Sequence, residues 1–283
     1  MIRNRYALFG QPIAHSLSPR IHAAFARQTG VAMEYTAIAS GPAEFAQRLQ
    51  DFAGSGGAGA NITQPLKSLA FAYAVTLGAG AQRAGVVNTL TRVGDAWRGD
   101  NTDGVGLVHD LTERQGLDLR GRRTLVLGAG GAAAGVLPAL LDAGVDSVTL
   151  VNRTPQRAEH LSERHDDPAR VHARYWQDLA TLGAFDWVLD ATSAGHTGGL
   201  LELPFSITGA RTLAVSLSYG AAASRFLAWA RAAGCSDVHD GLGMLIEQAA
   251  ESFEIWYGIR PDTDPLHIEL REGHSAAALL ATD

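Results

Sequence analysis

Apolar and polar positions along the chain fall into two successive α/β runs. Tyr6 to Phe9 is a short apolar run stopped by Gly10, which predicts a strand. Ser18-Pro19 reads as a helix N-cap followed by proline in the first turn. Ile21, Ala24 and Phe25 follow at helical spacing, and Gly30 stops the helix. Met33, Tyr35 and Ala37 alternate with more polar residues, as in a strand. Phe45, Leu49 and Phe52 share one helical face, and Gly59 to Ile62 is a further strand candidate. Strand, helix, strand, helix, strand predicts a parallel α/β layer.

A second α/β run begins near residue 122. Thr124 to Leu127 predicts a buried strand, Gly128 to Gly135 a turn, and Val136 to Ala143 a helix ended by Gly144. Ser147 to Val151, Phe185 to Leu189 and Thr212 to Ser216 are the next strand candidates. Ala223 to Ala233 reads as helical. A last strong helix is expected over Leu242 to Tyr257, with Leu245, Ala249, Phe253 and Trp256 on one stripe. The tail beyond Gly258 holds two prolines and then small residues, and its end is expected to fray.

Composition narrows the class. A chain of 283 residues approaches the size at which one core stops growing, so two domains are expected. The net charge of −6, with no run of basic residues, argues against nucleic acid as a partner. Cys235 is the only cysteine, so no intrachain disulfide can form, which suits the cytoplasm. The first residues lack the apolar core of a signal peptide, and no uninterrupted apolar stretch approaches the roughly 18 residues of a membrane span.

The clearest chemical signal is GAGGAAAG, Gly128 to Gly135, placed between a predicted strand and a predicted helix. Glycines let the backbone turn tightly against a pyrophosphate, and the helix N-terminus offers free N–H groups. Where an NAD site ordinarily holds an acid, the next strand ends in VNRTPQR, Val151 to Arg157. Arginine complements a phosphate dianion and an acid repels one, so this end prefers NADP.

Three polar clusters precede this turn. In HSLSP, His15 to Pro19, two hydroxyls stand before a helix N-terminus, a place suited to a carboxylate. In NITQPLK, Asn61 to Lys67, Asn61 and Thr63 suit sugar-like hydroxyls, and Lys67 begins a helix. The third cluster joins VVNTL, Val86 to Leu90, to GDNTDG, Gly99 to Gly104. Its acids lack the spacing and terminal Glu of a calcium loop, so no metal is expected.

Together HSLSP, NITQPLK, GVVNT, GDNTDG, GAGGA, NRT, ATSAG and DGLGML occur in an order and spacing that resemble the shikimate dehydrogenase family over nearly the whole chain. The resemblance implies an α/β fold of two α/β domains. Residues 1–102 with 240–283 would bind substrate, and 103–239 would form an inserted Rossmann-type NADP-binding domain, with the active site in a cleft between. It implies NADPH-dependent, reversible reduction of 3-dehydroshikimate to shikimate in aromatic amino acid biosynthesis, by a monomer or homodimer. Carried over by motif, Ser16 and Ser18 take the substrate carboxylate. Thr63, Asn88, Asp103 and Gln248 take its hydroxyls, and Lys67 with Asp103 forms the catalytic pair. Gly128, Gly130, Gly131 and Ala132 line the pyrophosphate. Asn152, Arg153, Thr154 and Arg157 take the 2′-phosphate. Tyr219 lies near the substrate and Met244 near the nicotinamide.

The sequence departs from that pattern at Ser216 (commonly Asp), at Asp190 (commonly Asn) and at Gln64 (commonly apolar). Gly78 and Gly80 fall where the helix after Lys67 is expected to continue. A quinate/shikimate dehydrogenase with relaxed cofactor choice, another amino- or hydroxy-acid oxidoreductase on the same two-domain scaffold and a non-catalytic ligand-binding homologue are the competing readings.

Overall fold

The computed structural model describes residues 4–199 and 201–280, the last eight by backbone alone. Contact density divides the chain into Met1–Gly106 with Leu245–Asp283, and Leu107–Met244.

The first unit contains strands β1 (Asn4–Gly10), β2 (Met33–Ala39), β3 (Gly57–Ile62), β4 (Thr76–Leu77), β5 (Thr89–Val93) and β6 (Ala96–Asp100). Helices α1 (Ser18–Thr29), α2 (Phe45–Gly54), α3 (Lys67–Tyr73) and α4 (Ala79–Ala84) lie between them, and α5 (Asp103–His109) follows β6. The sheet order is β2-β1-β3-β5-β6-β4. β1 pairs in parallel with β2 and β3, as the strand–helix alternation predicts. The other half departs from an all-parallel layer, because β5 runs antiparallel to both β3 and β6. Gly94 and Asp95 make the two-residue turn between β5 and β6, and Gly94 takes the left-handed φ of 59° that such turns need. The stripe Phe45, Leu49 and Phe52 buries α2 against Phe9, whose ring meets Phe45 at 6.2 Å and Phe52 at 5.6 Å.

Two local expectations change. α1 begins at Ser18 itself, with Leu17 as the cap residue and no side-chain bond from it. Ser16 performs the capping instead, its Oγ accepting the Ser18 N–H at 3.2 Å. Gly78 and Gly80 do not continue α3, which stops at Tyr73; Gly78 caps α4. A Cβ at Gly78 would lie 2.0 Å from Asp100 Oδ1, so glycine there leaves room for the carboxylate.

The second unit contains β7 (Arg123–Leu127), α6 (Gly131–Asp142), β8 (Ser147–Asn152), α7 (Pro155–His165), β9 (Val171–Tyr175), β10 (Trp187–Asp190), α8 (Ala194–Thr197), β11 (Leu213–Ser216), α9 (Ser224–Ala232) and β12 (Asp237–His239). Its sheet runs β12-β11-β10-β7-β8-β9, and every pairing is parallel. Leu125, Leu127, Val188, Ala214 and Phe226 belong to its core. Parallel strands buried on both faces explain the near-continuous apolar runs in the sequence.

α10 (Leu242–Tyr257) and α11 (Asp264–Leu280) complete the chain. The tail beyond Gly258 contains α11, a 17-residue helix. Residues 281–283, the end expected to fray, lie outside the described residues.

Candidate functional site

In the first unit the β5–β6 hairpin fixes the polar cluster. Thr89 pairs with Asp100 in the ladder, so Asn88 lies beside residues 100 to 103. The Asn88 N–H donates to Asp100 O at 3.1 Å. α5 opens with Asp103, whose N–H donates to Asn101 Oδ1 at 3.2 Å. Lys67 opens α3, and its Nζ donates to Asp103 Oδ2 at 2.5 Å. The pair is largely shielded, with side-chain exposures of 13 % and 6 %.

Asn88 holds the other carboxylate oxygen. Its Nδ2 donates to Asp103 Oδ1 at 2.9 Å and to Thr102 Oγ1 at 2.8 Å. Its Oδ1 accepts the Thr102 N–H and the Thr89 hydroxyl, both at 2.9 Å. Gln248, on α10, brings Oε1 to 3.2 Å from Asn88 Nδ2. The approach depends on Gly106 in α5, where a Cβ would lie 2.5 Å from Gln248 N. Lys67, Asn88, Asp103 and Gln248 therefore share one network. Thr102, which carried no sequence signal of its own, belongs to it. Thr63 is half-buried after β3, and no hydrogen bond engages its hydroxyl among the described residues. Ser16 Oγ donates to Ser18 Oγ at 3.2 Å, and Ser18 is 5 % exposed.

Asn61 has another part. Its Oδ1 accepts the Tyr35 hydroxyl at 2.9 Å and its Nδ2 donates to Ser252 Oγ at 2.9 Å. With both ends of the amide occupied and the residue 5 % exposed, Asn61 ties β3 to β2 and α10 instead of presenting itself to a sugar-like ligand.

In the second unit Gly128 follows β7, with φ at 103°, a conformation that favours glycine. A Cβ there would lie 2.8 Å from Ala191 O. Gly130 is exposed, with nothing within 4 Å of an added Cβ. Gly131 and Ala132 begin α6, whose N-terminus has no side-chain cap. Asn152 braces the turn, its Oδ1 accepting the Ala129 N–H at 3.1 Å and its Nδ2 donating to Thr154 O at 2.8 Å. The amide is thus engaged by the loop. Arg153, Thr154 and Arg157 are exposed at the head of α7, and no hydrogen bond or ion pair engages either guanidinium among the described residues.

Tyr219 follows β11 and is half-buried, and Met244, on α10, is 7 % exposed. Two departures from the family pattern meet: Ser216 Oγ donates to Asp190 Oδ2 at 3.1 Å. Burial pushes the Asp190 carboxyl above the usual range, against bonds from Thr192 and Ser216 that favour its charged form.

A parallel sheet whose first strand runs through a bare glycine turn into a helix defines a dinucleotide-binding α/β protein. Its companion unit carries a shielded lysine–carboxylate pair suited to proton transfer. Three family models match the chain: the shikimate dehydrogenase substrate binding domain over residues 8–90, shikimate / quinate 5-dehydrogenase over 110–198, and the shikimate 5′-dehydrogenase C-terminal domain over 241–267. The shikimate dehydrogenase (NADP(+)) of Stenotrophomonas maltophilia (strain K279a) is 55 % identical over 276 residues, 97 % of this chain and 98 % of the relative. Two crystal structures of shikimate 5-dehydrogenase from Thermus thermophilus are also similar. The complex with shikimate aligns at a TM-score of 0.82 and 34 % identity, covering 96 % of this chain and 99 % of the other. The complex with NADP(H) and shikimate aligns at 0.80 and 33 %, covering 95 % and 99 %. The chain belongs to the shikimate dehydrogenase family.

Proposed function

We propose that the protein interconverts 3-dehydroshikimate and shikimate with NADP, within aromatic amino acid biosynthesis in the cytoplasm, as a monomer or homodimer. Among the described residues no helix is long and apolar enough to cross a membrane. The observation that carries the reading is the Lys67–Asp103 pair, clamped by Asn88 and reached by Gln248.

NADP fits the second unit. The space above Gly130 admits a pyrophosphate, and the uncapped start of α6 supplies N–H donors. Among the described residues no partner engages Arg153 or Arg157, where a 2′-phosphate needs a cation. When bound, the cofactor supplies the hydride.

The chain's own residues do the rest. Lys67 Nζ donates a hydrogen bond to the ketone oxygen, stabilises the charge that develops there and gives up the proton. Asp103 orients the ammonium, and Asn88 orients Asp103. The Thr63 hydroxyl and Gln248 amide hold substrate hydroxyls, and Ser16 and Ser18 hold its carboxylate at the start of α1. In the reverse direction Lys67 receives the proton.

The test is absorbance at the reduced-cofactor band with shikimate and NADP, repeated with quinate and with NAD. Turnover of shikimate with NADP supports the reading. Faster turnover of quinate with NAD replaces it with the relaxed-specificity alternative, and no turnover with any pair leaves a binding protein.

A further inference from the structure

Asp190 ends β10, the strand beside β7 in the order β12-β11-β10-β7-β8-β9. The chain leaves β7 toward β8 on one side and places β10 on the other, so the β7–β10 boundary is the switch point where a dinucleotide lies across the strand ends. Arg153, directly after β8, marks the adenosine half. The ends of β10 and β11 therefore face the nicotinamide half.

The carboxylate there is buried, with Asp190 at 4 % exposure. Oδ1 accepts the Thr192 N–H at 3.0 Å and the Thr192 hydroxyl at 2.7 Å, and Oδ2 accepts the Ser216 hydroxyl at 3.1 Å. Ser216 Oγ in turn accepts the Ser218 N–H at 3.2 Å, which leaves its own proton for Asp190. Three donors converge on one carboxyl and favour its charged form, against the burial that pushes the carboxyl above its usual range. The segment it anchors is packed on the glycine turn, since a Cβ at Gly128 would lie 3.2 Å from Thr192 N.

We propose that Asp190 is a specificity-determining residue that favours the oxidised over the reduced cofactor. The oxidised nicotinamide ring carries a positive charge and the reduced ring none. A shielded anion at this end of the crevice stabilises only the former. The inference rests on dinucleotide binding by the second unit, and not on the 2′-phosphate contact or on the identity of the substrate.

The experiment measures dissociation constants of the full chain for NADP+ by calorimetry and for NADPH by fluorescence titration, at one pH and ionic strength. Replacing Asp190→Asn should reduce the preference for NADP+ over NADPH by about tenfold, the size of a unit-charge effect in a partly shielded site. The double variant Asp190→Asn with Ser216→Asp returns the charge to the other end of the same hydrogen bond and should restore the parental ratio to within about threefold. Should Asp190→Asn fail to fold, Asp190→Ser, also neutral, gives the same comparison. Loss of affinity for both forms by one common factor would assign Asp190 to loop structure alone and overturn the proposal. A parent that binds NAD+ and NADH instead would sink the NADP reading while leaving the ratio measurable. A parent that binds neither pair would sink both.

Discussion

Asn88 Nδ2 stands 2.9 Å from Asp103 Oδ1, and the geometry allows no reversal of that amide. Its other end accepts the backbone N–H of Thr102 at 2.9 Å, which can only donate. Asn88 is therefore a clamp on Asp103 before it is a ligand for any hydroxyl. Asn88→Ala should cost about 1–3 kcal/mol of stability, because the Thr102 N–H and Thr89 hydroxyl lose a buried partner. Turnover should fall with it as Asp103 loses its orientation. Urea denaturation and steady-state kinetics check both. A raised KM with unchanged kcat would place Asn88 in substrate binding alone.

The elements that could be read in the sequence are those whose signal is local. The apolar runs of β7 and β8 and the glycines between β7 and α6 describe one strand–turn–helix unit without help from distant residues. The stripe on α2 is equally self-contained. The β5–β6 hairpin was harder, because Val86 to Leu90 and Gly99 to Gly104 are polar enough to resemble turns. Their strand character comes from pairing across the sheet. The Gly94-Asp95 dipeptide between Val93 and Ala96 was the available signal. Likewise the break between α3 and α4 holds β4, whose pairing with β6 joins Thr76 to Arg98, residues 22 positions apart. At the site, residue types such as Lys67, Asp103 and the arginines were legible. The assignment of Asn61 to β3 anchoring, of Asn152 to bracing the glycine turn and of Thr102 to the Asn88 network depended on hydrogen bonds that only the folded chain creates.

His22 gives the fold a pH dependence unrelated to the site. Its ring is fully buried and stacks on Tyr35 at 4.3 Å. Burial pushes the imidazole down from 6.5 to about 3. Below the ordinary value the unfolded chain binds a proton that the folded chain refuses. This contribution to stability is therefore complete above pH 6.5 and declines as pH falls toward 3. The decline has a limit of about 1.4 kcal/mol per pH unit. Urea unfolding from pH 7.5 down to pH 5 should show a shallower acid slope in His22→Phe, which keeps the stacked ring. Identical slopes would remove His22 from the account.

Arg153 and Arg157 are exposed at the head of α7. If they take the 2′-phosphate, Arg153→Asp should raise the KM for NADP at least about tenfold, given about 1.5–3 kcal/mol for a hydrogen bond to a charged group. The KM for NAD should change far less, since NAD lacks that phosphate. Arg157→Ala should show a smaller effect of the same selectivity. Parallel changes for the two cofactors would point to a disturbed α7 and not to a lost phosphate contact.

Lys67 and Asp103 are 2.5 Å apart and mostly shielded, which distinguishes this lysine from a solvated helix-start residue. Replacing a solvated lysine changes stability by no more than about 0.5 kcal/mol and leaves the rate alone. Replacing a proton donor that also stabilises an alkoxide removes roughly 10²–10⁴-fold in rate. Lys67→Ala should therefore cut turnover by at least about two orders of magnitude while NADP binding, made by residues of the second unit, persists. It should also lower stability, because removing one member of a shielded pair leaves Asp103 with only its Asn88 bond. Asp103→Asn should cut turnover as well, since the ammonium loses its orienting charge. The double variant should be less impaired than the product of the two single losses, because residues that act as a unit can be lost only once. Single-turnover measurements with saturating substrate separate the chemical step from binding. If Lys67→Ala kept more than about a tenth of the parental rate, a general acid would have to be sought elsewhere in the Asn88 network.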